Sequence, residues 1–131
     1  MTRDLHEKIG SVEYEKLFAG INPPAIVRGG VIRKLGTAAT LKRGTVLAKS
    51  SVDNKLVILG STAAQGETLT ADCILTDDTL VGTANDENVT VYVAGSFNVD
   101  GVIVEDQYTL TEADKDALRM KGILFGTVQD L

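Results

Sequence analysis

The sequence predicts a mainly β protein: a small β-rich sandwich or barrel-like domain with one short C-terminal helix and an extended N-terminal arm. Three observations carry that prediction. Runs of β-branched residues recur between residues 41 and 98, turn-forming Gly, Asn and Asp separate them at close intervals, and a late segment has matched helix-start and helix-stop signals. The runs are Gly44-Thr-Val-Leu-Ala48, Lys55-Leu-Val-Ile-Leu59, Asp72-Cys-Ile-Leu75 and Val89-Thr-Val-Tyr-Val-Ala-Gly-Ser-Phe-Asn98.

Residues 11–20 form a short amphipathic stretch. Ser11 is placed to cap its start and Gly20 to end it, and Tyr14, Leu17 and Phe18 fall at i, i+3 and i+4 on one helical face. So short a helix is unstable alone in water and has to dock on its own domain or on another chain. Asn22-Pro23-Pro24 holds the chain's only prolines and breaks any helix, because proline lacks the amide donor and pushes its predecessor towards extended geometry. It reads as a stiff hinge. Residues 25–34 follow, with Ile26/Val27 and Val31/Ile32 separated by Gly29-Gly30, a pattern that suits either a hairpin with a two-residue turn or one bulged strand.

Val46, residues 56–59, Ile74, Leu75, Val89, Val91, Val93, Val102 and Val104 are the expected core positions. Thr90 and Tyr92 alternate with the valines, which predicts a strand with one buried and one more polar face. Val102-Ile-Val104 does not choose a face. Near the end, Thr111 is a candidate N-cap with Asp114 three residues on, and Arg119 and Lys121 precede Gly122, so one helix is expected there. Ile123-Leu-Phe-Gly-Thr-Val128 reads as a closing strand.

At 131 residues, with 44% apolar and 24% charged residues, the chain suits one core with extensions rather than a disordered or membrane class. No apolar run approaches the roughly 20 residues of a membrane-spanning helix, and the start of the chain lacks the apolar centre of a secretory signal, so synthesis in a cytoplasm is expected. The net charge of −5 is unevenly spread: residues 1–49 hold nine Lys/Arg against four Asp/Glu, whereas residues 50–131 hold four against fourteen. An acidic body with 5% aromatics argues against nucleic acid as a partner. The basic leading part either seeks an acidic protein surface or simply aids solubility.

No catalytic constellation emerges. Cys73, the single cysteine, reads as a small buried apolar residue, and His6, the single histidine, as a solvated side chain in a polar terminus. Asp77-Asp78, Asp86-Glu87 and Glu105-Asp106 lack the spacing of a calcium loop and read as solvated turns, as does Asn98-Val-Asp-Gly101. The glycines build no nucleotide-binding loop and the serines no nucleophile elbow. The expectation is therefore no enzyme activity, no cofactor and no metal.

The order of several segments resembles the tailed-phage head decoration proteins related to lambda protein D. These are Leu41-Lys-Arg-Gly-Thr-Val-Leu47, Lys55-Leu-Val, Ala71-Asp-Cys-Ile-Leu75 with its acidic turn, Val91-Tyr-Val-Ala-Gly-Ser-Phe-Asn98 and Leu118-Arg-Met-Lys-Gly-Ile-Leu124. The resemblance covers residues 36–125. It implies a structural virion protein that binds the outer surface of the expanded head and cements neighbouring major capsid protein subunits, commonly as homotrimers at three-fold and quasi-three-fold positions. It also implies an N-terminal arm that pairs with the capsid protein, here residues 1–35 ahead of a β-rich decoration domain at 36–131. Tyr14, Leu17, Phe18, Pro23, Pro24, Ile26, Val27, Arg28, Val31 and Arg33 are the residues expected at the shell. The chain departs from lambda protein D in its longer leader and its lack of tryptophan. Another β-rich phage component, such as a tail-tube or head-fibre subunit, is the alternative; a sugar-binding module suits the low aromatic content less well.

Overall fold

The computed structural model describes residues 17–20 and 24–126. Strands β1 (Phe18–Gly20), β2 (Ile26–Ile32), β4 (Val46–Ser50), β5 (Leu56–Ile58), β6 (Leu69–Leu75), β8 (Glu87–Asn98) and β9 (Ile123–Gly126) form one 7-stranded sheet, and β3 (Ala39–Leu41) pairs with β7 (Thr79–Val81) in a separate ribbon. Helix α1 (Glu112–Lys121) is the one complete helix among the described residues. The protein is thus mainly β, with a closed barrel-like sheet and a short C-terminal helix, as the sequence predicts.

The 12-residue strand β8 organises the sheet. It pairs antiparallel with β2 from Ile26↔Ala94 to Ile32↔Glu87, and with β6 at Ile74↔Tyr92 and Leu75↔Val91. The path β8–β2–β5–β4–β6 therefore returns to β8 and closes. The last third of β8 leaves this ring to pair with β1 and, in parallel, with β9.

Alternation along the strands feeds two cores. Ile32, Leu47, Leu56, Cys73, Leu75 and Val91 meet Leu41 and Val81 of the ribbon in one; every strand of the ring contributes to it. Val46, Ala48, Val57, Leu59, Ala71, Ile74 and Tyr92 pack in the other, beneath Leu118 of α1, Ile123 of β9, Leu17 and Phe97. Tyr92 is therefore buried, and β8 does not keep the polar face that Thr90 and Tyr92 suggested. The alternation missed this because α1, β9 and the leading segment cover that face from distant parts of the chain. A register shift sets Leu47 opposite Cys73 but Ala48 opposite Ala71, leaving Asp72 as the extra residue of a bulge.

Local signals in α1 agree with one another. Thr111 accepts from the Asp114 amide at 3.0 Å, Asp114 accepts from the Thr111 amide at 3.0 Å, and Gly122 closes the helix with φ 105°, a left-handed conformation that favours glycine. Val102 and Val104 point to the core, while Ile103 bridges Thr45 and is 42% exposed. The expected closing strand is β9 as far as Gly126; Val128 lies outside the described residues.

Two local expectations hold in part. Of the helix expected at residues 11–20, positions 11–16 lie outside the described residues and Leu17 is helical, whereas Phe18–Gly20 is a strand because pairing with Ser96 and Phe97 outweighs the weak pull of a marginal helix. Of the two readings of residues 25–34, the single strand holds and the hairpin does not. These residues supply β2, a single strand with a register shift between Ile26 and Val27.

Candidate functional site

Strand β2 brings together many of the residues singled out from sequence, and its pairing is lopsided. One side is hydrogen-bonded to β8 along its length, whereas β5 meets the other side only at Ile32↔Leu56, with the Arg33 amide donating to the Leu56 carbonyl at 2.9 Å. Among the described residues, no strand lies beside residues 26–31 on that outer side. Main-chain groups alternate in direction along a strand, so Val31, Gly29 and Val27 turn theirs to the side to which Arg33 donates.

Side chains add an apolar character to this edge. Ile26 and Val27 are each 54% exposed and Val31 is 37% exposed, and Pro24 before them is exposed as well. The nearby cations pair with a buried carboxylate while their own side chains stay exposed, Arg28 at 58% and Lys121 at 46%. Arg28 reaches Asp72 at 3.5 Å, and Lys121 at the end of α1 approaches the other oxygen of Asp72 at 2.7 Å, an ion pair whose angles fall outside those of a hydrogen bond. The Asp72 side chain is 2% exposed, so these cations offset the cost of a buried carboxylate.

Arg33 is similarly committed. Its guanidinium donates to both oxygens of Asp53, at 3.0 and 3.2 Å, and to Glu67 at 2.6 Å. Glu67 also accepts from the Ser50 hydroxyl and the Ala64 amide. Those donors, Arg33 first, hold the Glu67 carboxyl down at about 2, and the same guanidinium lowers Asp53. In return, the two carboxylates raise Arg33.

Leu17 and Phe18 stand elsewhere. Leu17 is 4% exposed within the core, and the Phe18 ring stacks on Phe97 at 4.9 Å and meets Tyr92 edge-on at 5.3 Å, with the Arg43 guanidinium 5.8 Å from its centre. They fasten the leading segment to the barrel. Tyr14 and Pro23 lie outside the described residues. The structure thus gathers Pro24, Ile26, Val27 and Val31 on one exposed segment, sets Arg28 and Arg33 of the same segment into ion pairs, and places Leu17 in the core with Phe18 partly buried against it.

Sequence reasoning missed Asp72, and no local signal marks a carboxylate in a bulge as the partner of cations 44 and 49 residues away (72−28 and 121−72). Cys73 beside it is buried, and burial pushes its thiol far above the ordinary range. Among the described residues, no group of acidic, histidine or cysteine side chains is arranged to hold a metal ion.

Comparison with protein families matches residues 14–124 to the family described as bacteriophage lambda head decoration protein D. The chain belongs to that family. A search of curated proteins finds no significant match. The match spans β1 to the start of β9, so it includes the free edge of β2 as well as the ring. Membership assigns a structural role in the phage capsid, as a component of the virion, and favours head decoration over the tail-tube alternative.

Proposed function

We propose that this decoration protein binds the outer surface of the expanded phage head and cements neighbouring major capsid protein subunits, using the free edge of β2 as its principal grip. The observation that carries this reading is the largely apolar edge at residues 26–31, unpaired among the described residues, in a chain of the head decoration family. An extended capsid segment laid along this edge gains main-chain hydrogen bonds for affinity, while alternate side chains set register. Each contact is modest. Repetition over the shell makes the sum strong.

Pro24, Ile26, Val27 and Val31 touch the shell in this reading. Arg28 and Arg33 frame the edge through their ion pairs, Leu17 and Phe18 fasten the chain to the barrel, and Tyr14 and Pro23, outside the described residues, are further proposed contacts. Homotrimers at three-fold and quasi-three-fold positions are the assembly that the family resemblance implies, and a map of decorated heads locates them.

The test is binding of the full chain to undecorated expanded heads assembled from the cognate capsid protein. Val27→Lys with Val31→Lys places charges on the edge, where lysine opposes strand addition. Both positions are exposed, so fold and melting temperature should hold while head binding falls at least tenfold. Unchanged binding by the folded double variant refutes the edge as the grip. Residues 26–32 are a strand of the ring, so removing residues 1–35 would disturb the fold itself; truncation before Leu17 tests the leader more cleanly.

A further inference from the structure

The paired glycines of β2 have different reasons to be there. A Cβ on Gly30 would come within 2.9 Å of Leu56 Cδ1 and 3.8 Å of the Val91 methyls, so a side chain there would force the Leu56 methyl to shift within the ring. A Cβ on Gly29 meets only the Val89 carbonyl oxygen, at 4.0 Å, and the backbone there lies outside the left-handed region. Glycine inside a strand costs roughly 0.5–1 kcal/mol relative to alanine, and nothing within the fold requires it at this position.

Its surroundings describe what it leaves room for. Val27, Gly29 and Val31 lie opposite Tyr92, Thr90 and Asn88, so they share one face of β2. On β8 this face is buried at Tyr92 but exposed at Thr90 and Asn88. Gly29 is consequently the floor of a notch with exposed valines at either end, their Cα atoms about 13 Å apart at the usual strand rise. Thr90 beside the floor is uncharged, and Arg28 is held by Asp72. The notch suits an uncharged, apolar side chain.

We infer that Gly29 is the specificity-determining position of the docking edge, left without a side chain so that one apolar side chain of an extended capsid-subunit segment seats between Val27 and Val31. This rests on the proposed role of the β2 edge, because it is that edge which brings the capsid segment alongside. The added claim is that shape at one position, beyond main-chain pairing, selects the partner.

Head binding by the full chain again tests it, now with Gly29→Ala and Thr90→Leu, which fill the notch from β2 and from β8. A clash of one or a few methyl groups costs 1–3 kcal/mol in a close-packed contact, or roughly 5- to 150-fold in affinity. Both variants should bind heads at least fivefold more weakly while melting within about 2 °C of the parent, as exposed substitutions do. Should Gly29→Ala melt much lower, Thr90→Leu alone decides. Binding within twofold of the parent by the folded variants, when Val27→Lys with Val31→Lys has lost it, overturns the notch and leaves the edge standing. If the lysine variant also binds normally, both readings fall.

Discussion

Replacing Phe18 by alanine asks whether the leading segment belongs to the body or to the shell. The ring is partly buried, stacked on Phe97 at 4.9 Å and edge-on to Tyr92 at 5.3 Å. Losing about 80 Å² of apolar burial at ~25 cal/mol per Å² costs about 2 kcal/mol. Two aromatic pairs at ~0.5–1.5 kcal/mol each bring the total to about 3–5 kcal/mol, the range found for Phe→Ala substitutions in cores. For a domain of this size, 1 kcal/mol moves the melting temperature by about 4 °C, so Phe18→Ala should melt at least 10 °C lower. The assay is thermal unfolding followed by circular dichroism on isolated protein, with no heads present. A variant that melts within about 2 °C of the parent yet fails to bind heads would refute the reasoning. In that event Phe18 contributes to the shell contact and little to the barrel.

Two further perturbations probe the fold. Gly60 adopts φ 100°, and a Cβ there would fall 2.5 Å from Tyr108 Cγ; backbone strain and overpacking together predict a loss of about 3 kcal/mol for Gly60→Ala, measured by denaturant unfolding, and an unchanged midpoint would contradict that packing. The Glu67 carboxyl, held at about 2 against an ordinary 4.5, contributes stability that is complete above pH 4.5 and lost as pH falls towards 2. Melting temperature should drop through that window, and less steeply in Glu67→Gln; identical slopes would show that other carboxylates dominate.

Elements whose causes lie within a few residues were legible in the sequence. Thr111, Asp114 and Gly122 define α1 almost by themselves, and β4, β5 and β6 follow from short β-branched runs between turns. Elements decided by distant partners were not. Phe18–Gly20 has helical spacing but is a strand because Phe97 lies opposite, and Tyr92 alternates like a surface residue but is covered by α1, β9 and Phe18. The candidate site divides the same way: hydrophobic pattern marked Ile26, Val27 and Val31, whereas the commitment of Arg28 to Asp72 and of Arg33 to Asp53 and Glu67 depends on ring closure.

Ring closure also explains why the edge at residues 26–31 carries information. A closed sheet removes the unpaired edges on which β proteins aggregate, and here, among the described residues, pairing satisfies both sides of β2 only near Ile32. The remaining edge is short, and it begins at a register shift just after Pro24, features that limit indiscriminate pairing. Yet its exposed side chains other than Arg28 are β-branched and uncharged, unlike the lysines that usually guard such an edge. Arg28 is the one charge within the strand, and a carboxylate that is itself 2% exposed draws it aside. Burying Asp72 is costly unless cations attend it, and Arg28 is one of the two that do, so the charge on this strand is partly offset although its side chain stays exposed. On the proposed reading the arrangement has a use: a strand of the shell meets an apolar, main-chain-bonding surface, and the electrostatic part of recognition is left to the basic leader and the acidic body.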